Sequence, residues 1–339
     1  MRWASGHAAA VVRRILLIVN RSSGTGCPPA LVAALTEELR RAGGRLEELE
    51  VALVEDHAGA RRASRSFLAA SSRPAAVIVG GGGGTLRAAV EGICDGAGST
   101  LPGAGQVRLG ALRMGSGNVV ARRLGVALEP VDGMRQLLDS LGSGRTLPCA
   151  VIRCTFGTAT GGQDVRHAVT MCGLGQFGRT SGDLARWHGR LAAPRRAIAS
   201  VIGLERLNNL EYAASAAGRL AATAVHPASA ERVEVTLGER RERFRLMAGA
   251  VMNFGIGAIP FDPRVAMGEP AAGVLLLPRA GRLRTWRLAA GETLGVRLLD
   301  RESVEFFLDE DPERAYREIT LEVAGTLAFL PGGAAEVAA

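Results

Sequence analysis

The chain has 339 residues, 47% hydrophobic and 22% charged, a globular composition with enough length for two domains. Its net charge of +8 rests on arginine alone, since no lysine occurs. Arginine suits phosphate and anionic headgroups because its planar fork bonds two oxygens at once, whereas an aromatic content of 4% is thin material for base stacking, so no nucleic-acid partner is expected.

The five cysteines form no C-x-x-C pair, which argues for reduced thiols and a cytoplasmic setting rather than a disulfide framework or a zinc site. The apolar stretch from Ala8 to Val12 is too brief for a signal sequence. No run approaches the roughly 20 apolar residues of a membrane span. Contact with a membrane, if made, is expected from the surface.

In chain order, the first element is the apolar run Ile15 to Val19, of strand length. It ends in the polar turn Asn20-Arg21-Ser22-Ser23-Gly24-Thr25-Gly26. Pro28 and Pro29 suit a helix start, and Leu31, Leu35 and Leu39 repeat at helical spacing before Gly43. Leu49, Val51 and Leu53 alternate as in a strand, and a helix with Ala63, Phe67 and Leu68 follows. The apolar run Ala75 to Val79 then leads into five glycines, Gly80 to Gly84, and Thr85. Leu86, Ala88, Ala89, Val90 and Ile93 give the next helix its apolar positions, with Arg87 and Glu91 as polar ones. The glycines read as a strand-to-helix turn. Such a turn lets backbone N–H groups approach a ligand, and the helix N-terminus behind it favours an anion. A short strand from Val107 to Leu112 leads to a third turn, Met114-Gly115-Ser116-Gly117-Asn118, and another helical pattern. A last helix near Asp132 to Leu141 closes this half. Strands alternating with helices imply a parallel sheet whose turns share one edge, where ligands bind.

After Pro148 the texture changes to consecutive strand-like runs separated mostly by turns, which suggests a mainly antiparallel second domain. One helical insert is expected from about Asp183 to Leu210.

The three turns, N-R-S-S-G-T-G, G-G-G-G-G-T and M-G-S-G-N-V-V-A-R, resemble in order and register those of the diacylglycerol kinase catalytic-domain family. That family's patterns look like N-P-x-S-G-x-G, G-G-D-G-T and P-x-G-T-x-N-x-x-A-R. Cys172 to Phe177 looks like its G-x-G-F stretch, and Asn253-Phe254-Gly255-Ile256-Gly257, with Pro260, like a later N-x-x-x-G-G turn. NAD kinases share the glycine motif more distantly.

The resemblance implies an α/β nucleotide-binding domain over about 12–145 and a β-sandwich lipid-binding domain over 146–324. A strand over 325–331 would return to the first domain. It implies nucleotide contacts from Asn20, Ser23, Gly24, Gly81, Gly82, Gly83, Gly84, Thr85, Gly115, Ser116 and Asn118. Asn20 closing its own turn, and Asn118 capping a helix, remain open as simpler roles. The implied cofactors are ATP and the magnesium it carries, with a lipid substrate met at the inner face of a membrane; a further metal site is undetermined and homodimerisation is left open.

Three departures from the family stand out. Aligning on Thr85 puts Gly83 where the family has the motif aspartate. Ala271 and Ala272 replace an acidic pair that supports a structural metal in some members, and Glu269 beside them reads as a solvated loop residue. The family's late D-G-E-P segment, whose glutamate is the proposed base, becomes Asp309-Glu310-Asp311-Pro312-Glu313. Asp311, Asp309 and Glu313 are therefore the candidate catalytic carboxylates, against the simpler reading of an acidic hairpin tip. Two activities compete: an ATP-dependent lipid kinase acting on a hydroxyl of diacylglycerol or a related lipid, and a non-catalytic relative that binds nucleotide or lipid. An NAD kinase-like enzyme is third.

Overall fold

The computed structural model describes residues 12–24, 26–42, 47–97, 101–103, 105–115, 118–190, 198, 204–226, 229–255 and 265–333. The fold is mixed α/β. The chain forms two compact units, Met1–Cys149 with Thr326–Ala339, and Ala150–Gly325.

In the first unit, strands and helices alternate: β1 (Arg14–Asn20), α1 (Pro29–Ala42), β2 (Glu48–Val54), α2 (His57–Ala69), β3 (Ala75–Gly81), α3 (Gly83–Gly96), β4 (Val107–Arg113), α4 (Val119–Arg123) and α5 (Pro130–Gly142). β1 lies between β2 and β3, and β3 pairs with β4, each in parallel. Every residue of β1 and β3 is buried. Continuous apolar runs do this when a strand is covered on both faces. Arg14, at the entry to β1, is also buried; its guanidinium donates to the carbonyls of Phe67 at 2.8 Å and Ser71 at 3.2 Å and stacks on the Phe67 ring.

Arg87 and Glu91, the polar positions of α3, are both buried against α2. Arg87 bonds Glu91 at 3.3 Å, Glu91 bonds Arg61 of α2 at 3.2 Å, and Arg61 forks onto Asp95 at 2.7 and 3.1 Å. The charges are buried because they answer one another across the helix pair. Gly92 sets the closest approach: a Cβ there would lie 2.2 Å from the Arg61 carbonyl oxygen.

The second unit contains β5 (Leu147–Gly157), β6 (Gln163–Ala168), β7 (Met171–Leu174), α6 (Gly175–Gly178), α7 (Thr180–Arg190), α8 (Leu204–Val225), β8 (Glu231–Leu237), β9 (Arg240–Met252), β10 (Ala271–Pro278), β11 (Arg284–Ala289), β12 (Thr293–Leu298), β13 (Ser303–Leu308) and β14 (Asp311–Phe329). The expectation of a sandwich gives way to a closed ring. β7 pairs with β9, β9 with β8, β8 with β12, β12 with β14, β14 with β13, and β13 again with β7, all antiparallel. Within the ring β14 pairs first with β13, up to Tyr316, and then with β12, from Glu318, and Arg317 between them has φ 68. Closure leaves these six strands without a free edge. Their interior is filled by Leu174, Val233, Leu246, Val296, Val304 and Phe306. One carboxylate, Glu231, joins that lining and pairs with Arg179 at 2.8 Å. Burial pushes the Glu231 carboxyl up, and Arg179 pulls it back.

The far end of β14 lies in the first unit, where Ala328 and Phe329 run parallel to Arg108 and Leu109 of β4. Among the described residues the helical insert holds two helices, and the second runs to Val225, well past Leu210. Ala271 and Ala272 are buried in β10, and Glu269 is held by the Ala266 N–H at 2.9 Å and by Arg287. Four of the cysteines are buried and Cys27 is half-buried; all five are free thiols.

Candidate functional site

The candidate nucleotide site is built from three turns in the first unit. The five glycines are not one loop. Gly80 and Gly81 end β3, Gly83 and Gly84 open α3, and Gly82 alone stands between them, as the N-cap. Gly82 has no side chain to cap the helix, and its carbonyl accepts the first intrahelical bond, from Leu86 N–H at 3.0 Å. The N–H groups of Gly83, Gly84 and Thr85 therefore have no carbonyl within α3 to bond. A helix of 14 residues places its positive end there.

Asn20, at the end of β1, is buried. Its Nδ2 donates to Thr85 Oγ1 at 2.9 Å, and its Oδ1 accepts from Ser22 N–H at 3.0 Å. Ser23 Oγ lies 3.4 Å from the same Thr85 hydroxyl. Asn20, Ser23 and Thr85 thus tie the first turn to the start of α3. The simpler role considered for Asn20, closing its turn, is what its side chain performs here, together with this cross-tie. Thr85 is 1% exposed, so its hydroxyl serves the tie.

The glycines also pack against one another. A Cβ on Gly115 would lie 2.2 Å from Gly82 Cα, one on Gly24 2.6 Å from the Met114 carbonyl oxygen, and one on Gly81 2.7 Å from Thr85 Cβ. Gly24 also has φ 61, where side chains are rare. Asn118 occupies the N-cap position of α4 at φ 49 but does not cap it. Its side chain turns back, accepting from Gly115 N–H at 2.9 Å and donating to the Gly115 carbonyl at 2.8 Å. Ser116 and Gly117 lie outside the described residues, as do Ile256, Gly257 and Pro260 of the later turn.

In the second unit the candidate carboxylates sit at the β13–β14 hairpin. Leu308 pairs with Asp311, so Asp309 and Glu310 form a two-residue turn. Asp309 is buried and fully engaged. Its Oδ2 accepts from Val169 N–H at 2.6 Å; its Oδ1 accepts from Thr170 N–H at 2.7 Å, Thr170 Oγ1 at 2.6 Å and Met171 N–H at 3.0 Å. Burial pushes its pKa up and these donors pull it down. It pins the hairpin to the 169–171 turn and has no room to act as a base. Asn253 holds the same turn from the other side, donating to the carbonyls of Val169 at 2.7 Å and Ala150 at 2.6 Å. Asp309→Ala is expected to lower unfolding stability by about 2–4 kcal/mol in urea titrations, because buried N–H donors lose their acceptor.

Asp311 and Glu313 are half-buried and two apart on β14, so they share one face of the strand, with Pro312 on the other. Sequence reasoning missed Tyr212 of α8, whose pKa burial pushes up, with the Glu310 and Asp311 charges adding to that. Nothing in the sequence marks it, because its neighbourhood is made by folding. Among the described residues, no three His, Cys, Asp or Glu side chains are grouped to hold a metal ion.

The first unit is thus an α/β domain with glycine turns gathered around a bare helix N-terminus. Residues 14–153 match the family model of the diacylglycerol kinase catalytic domain. Three solved structures from Bacillus anthracis str. Sterne are similar over nearly the full length. A "putative diacylglycerol kinase" is 16% identical, with TM-score 0.63, covering 96% of this chain and 99% of that one. A structure titled as a diacylglycerol kinase is 16% identical, with TM-score 0.57 and coverage of 95% and 98%. A third, again titled as a putative diacylglycerol kinase, is 16% identical, with TM-score 0.61 and coverage of 96% and 100%. At that identity the likeness is one of fold. No curated protein matches the chain.

Proposed function

We propose that the chain is an ATP-dependent lipid kinase that transfers the γ-phosphoryl group to a hydroxyl of diacylglycerol or a related lipid. The observation that carries this reading is the α3 N-terminus, built from glycine and set within the segment that matches the diacylglycerol kinase catalytic domain. Among the described residues, a Cβ on Gly82 would meet nothing nearer than Gly115 Cα at 3.7 Å, which leaves room beside those N–H groups. Phosphate oxygens fit such a donor set. The Asn20–Ser23–Thr85 tie orients the donors, and Gly115 packs against Gly82 beside them.

In this reading Asp311 accepts the proton of the lipid hydroxyl. The hydroxyl oxygen then bonds the γ-phosphorus, the bond between that phosphorus and the bridging β–γ oxygen breaks, and ADP leaves. Magnesium, carried by ATP, would neutralise phosphate charge. A lipid substrate places the work at a membrane surface, in the cytoplasm at the inner leaflet. Trp187, Leu210 and Val225 of the helical insert are exposed apolar side chains available for that contact. Arg179 and Arg186 of the same region are paired with Glu231 and Asp183, which weakens their attraction for headgroups. Among the described residues no helix is long and apolar enough to cross a membrane.

A second reading, a relative that binds nucleotide without turnover, is favoured by one residue. Gly83, at the first position of α3, carries no carboxylate. Calorimetric titration of the protein with ATP and magnesium tests the cradle: binding is expected, and no binding would remove it. Gly83→Asp separates the two readings. An enzyme adapted to glycine gains nothing from the substitution, whereas an impaired one gains turnover.

A further inference from the structure

The two-residue turn between β13 and β14 has an unusual backbone. Asp309 has φ 57 and Glu310 φ 133. Two-residue hairpin turns with positive φ favour Asn-Gly and Asp-Gly, because only glycine takes the second position at no steric cost. Here a glutamate holds it. Asp309 is fastened by its four donors, but Glu310 needs a restraint of its own.

That restraint comes from the helical insert. Ser181, in the first turn of α7 and 3% exposed, donates its hydroxyl to the Glu310 carbonyl. Tyr212 of α8 lies within side-chain hydrogen-bonding reach of Ser181. The two helices are joined beside this pair. Arg219 of α8 forks onto Asp183 of α7 at 2.5 and 2.6 Å, and His188 meets Glu211 at 2.9 Å. Gly182 brings α7 against the hairpin, where a Cβ would lie 3.8 Å from Pro312 Cβ. A serine, a tyrosine and a carbonyl thus form a chain ending one residue before Asp311.

We propose that Ser181 and Tyr212 are positioning residues that hold Glu310 in its left-handed backbone conformation and thereby aim Asp311 for proton transfer. The inference deepens the kinase reading and rests on Asp311 as the base. It gives the helical insert a role besides surface contact: it supports the hairpin that carries the carboxylate.

The test is a cycle of Ser181→Ala, Tyr212→Phe and Glu310→Gly in the full chain. Ser181→Ala is expected to lower kcat for lipid phosphorylation about tenfold or more, with KM for ATP unchanged, because small misplacements of a catalytic group cost this much. Made on the Glu310→Gly background, the same substitution is expected to cost less than about threefold, since glycine takes φ 133 without a clamp. Tyr212→Phe should follow Ser181→Ala in direction. Thermal unfolding gives a readout free of turnover: the fall in Tm caused by Ser181→Ala should shrink by at least about half on the Glu310→Gly background. Equal losses on both backgrounds would overturn the clamp, as would a change confined to KM for ATP. If the wild-type chain phosphorylates no lipid, the kinase reading fails and the aim toward Asp311 fails with it. The unfolding cycle then still decides whether the clamp itself exists.

Discussion

Asp311→Asn is expected to lower the rate of lipid phosphorylation about 10²- to 10⁴-fold, the usual worth of a positioned general base. The amide is nearly isosteric with the carboxylate but cannot accept the proton. The loss should therefore fall on kcat, with ATP affinity measured by calorimetry changing less than about twofold. Stability should change little, because Asp311 is half-buried and Asp309 holds the turn. Glu313→Gln is expected to cost less than Asp311→Asn. The opposite order would move the base two residues along β14, to Glu313 among the candidate carboxylates. Asp309→Ala differs from both: its loss of activity should follow its loss of folded protein.

Gly115→Ala is expected to damage the nucleotide site through the backbone. The added Cβ would lie 2.2 Å from Gly82 Cα, 2.8 Å from Gly82 N and 3.0 Å from the Gly81 carbonyl oxygen. All three are main-chain atoms, so no side-chain rotation relieves the overlap. Overpacking of this kind costs about 1–3 kcal/mol. Relief would shift Gly82, the N-cap of α3, and with it the N–H groups proposed to hold phosphate. ATP affinity should fall about tenfold or more. Gly82→Ala provides the contrast. Its Cβ has room, and φ −87 suits alanine, so thermal unfolding should change little. ATP affinity should still fall, because the methyl group stands at the approach to the helix N-terminus. Equal loss of stability in both variants would contradict the packing account.

Much of this was legible in the sequence, for physical reasons that differ between elements. Ile15 to Val19 and Ala75 to Val79 announce buried strands because a strand covered on both faces must be apolar throughout. The glycine runs mark the turns because few other residues permit backbones as close as Gly82 and Gly115. Other features were hidden. Arg87 and Glu91 read only as polar positions, since only the fold brings Arg61 to meet them. A sandwich and a closed ring share the same two-residue alternation, and their difference lies in the partner choices of β14, which changes neighbour at Arg317. The second helix of the insert runs on through the alanine-rich stretch after Leu210, where weak apolar periodicity hides its length. At the hairpin, composition showed four acids within five residues. It could not show that Asp309 is a buried staple while Asp311 lies on the strand beyond the turn.

Lipid kinase activity is measured by incubating the purified chain with ATP carrying a labelled γ-phosphate, magnesium, and vesicles presenting diacylglycerol, monoacylglycerol, sphingosine or ceramide. Label is expected in at least one lipid and is expected to be lost in Asp311→Asn. Retained ATP binding with no label in any of the four would contradict the kinase reading and leave the chain as a nucleotide-binding relative of the family.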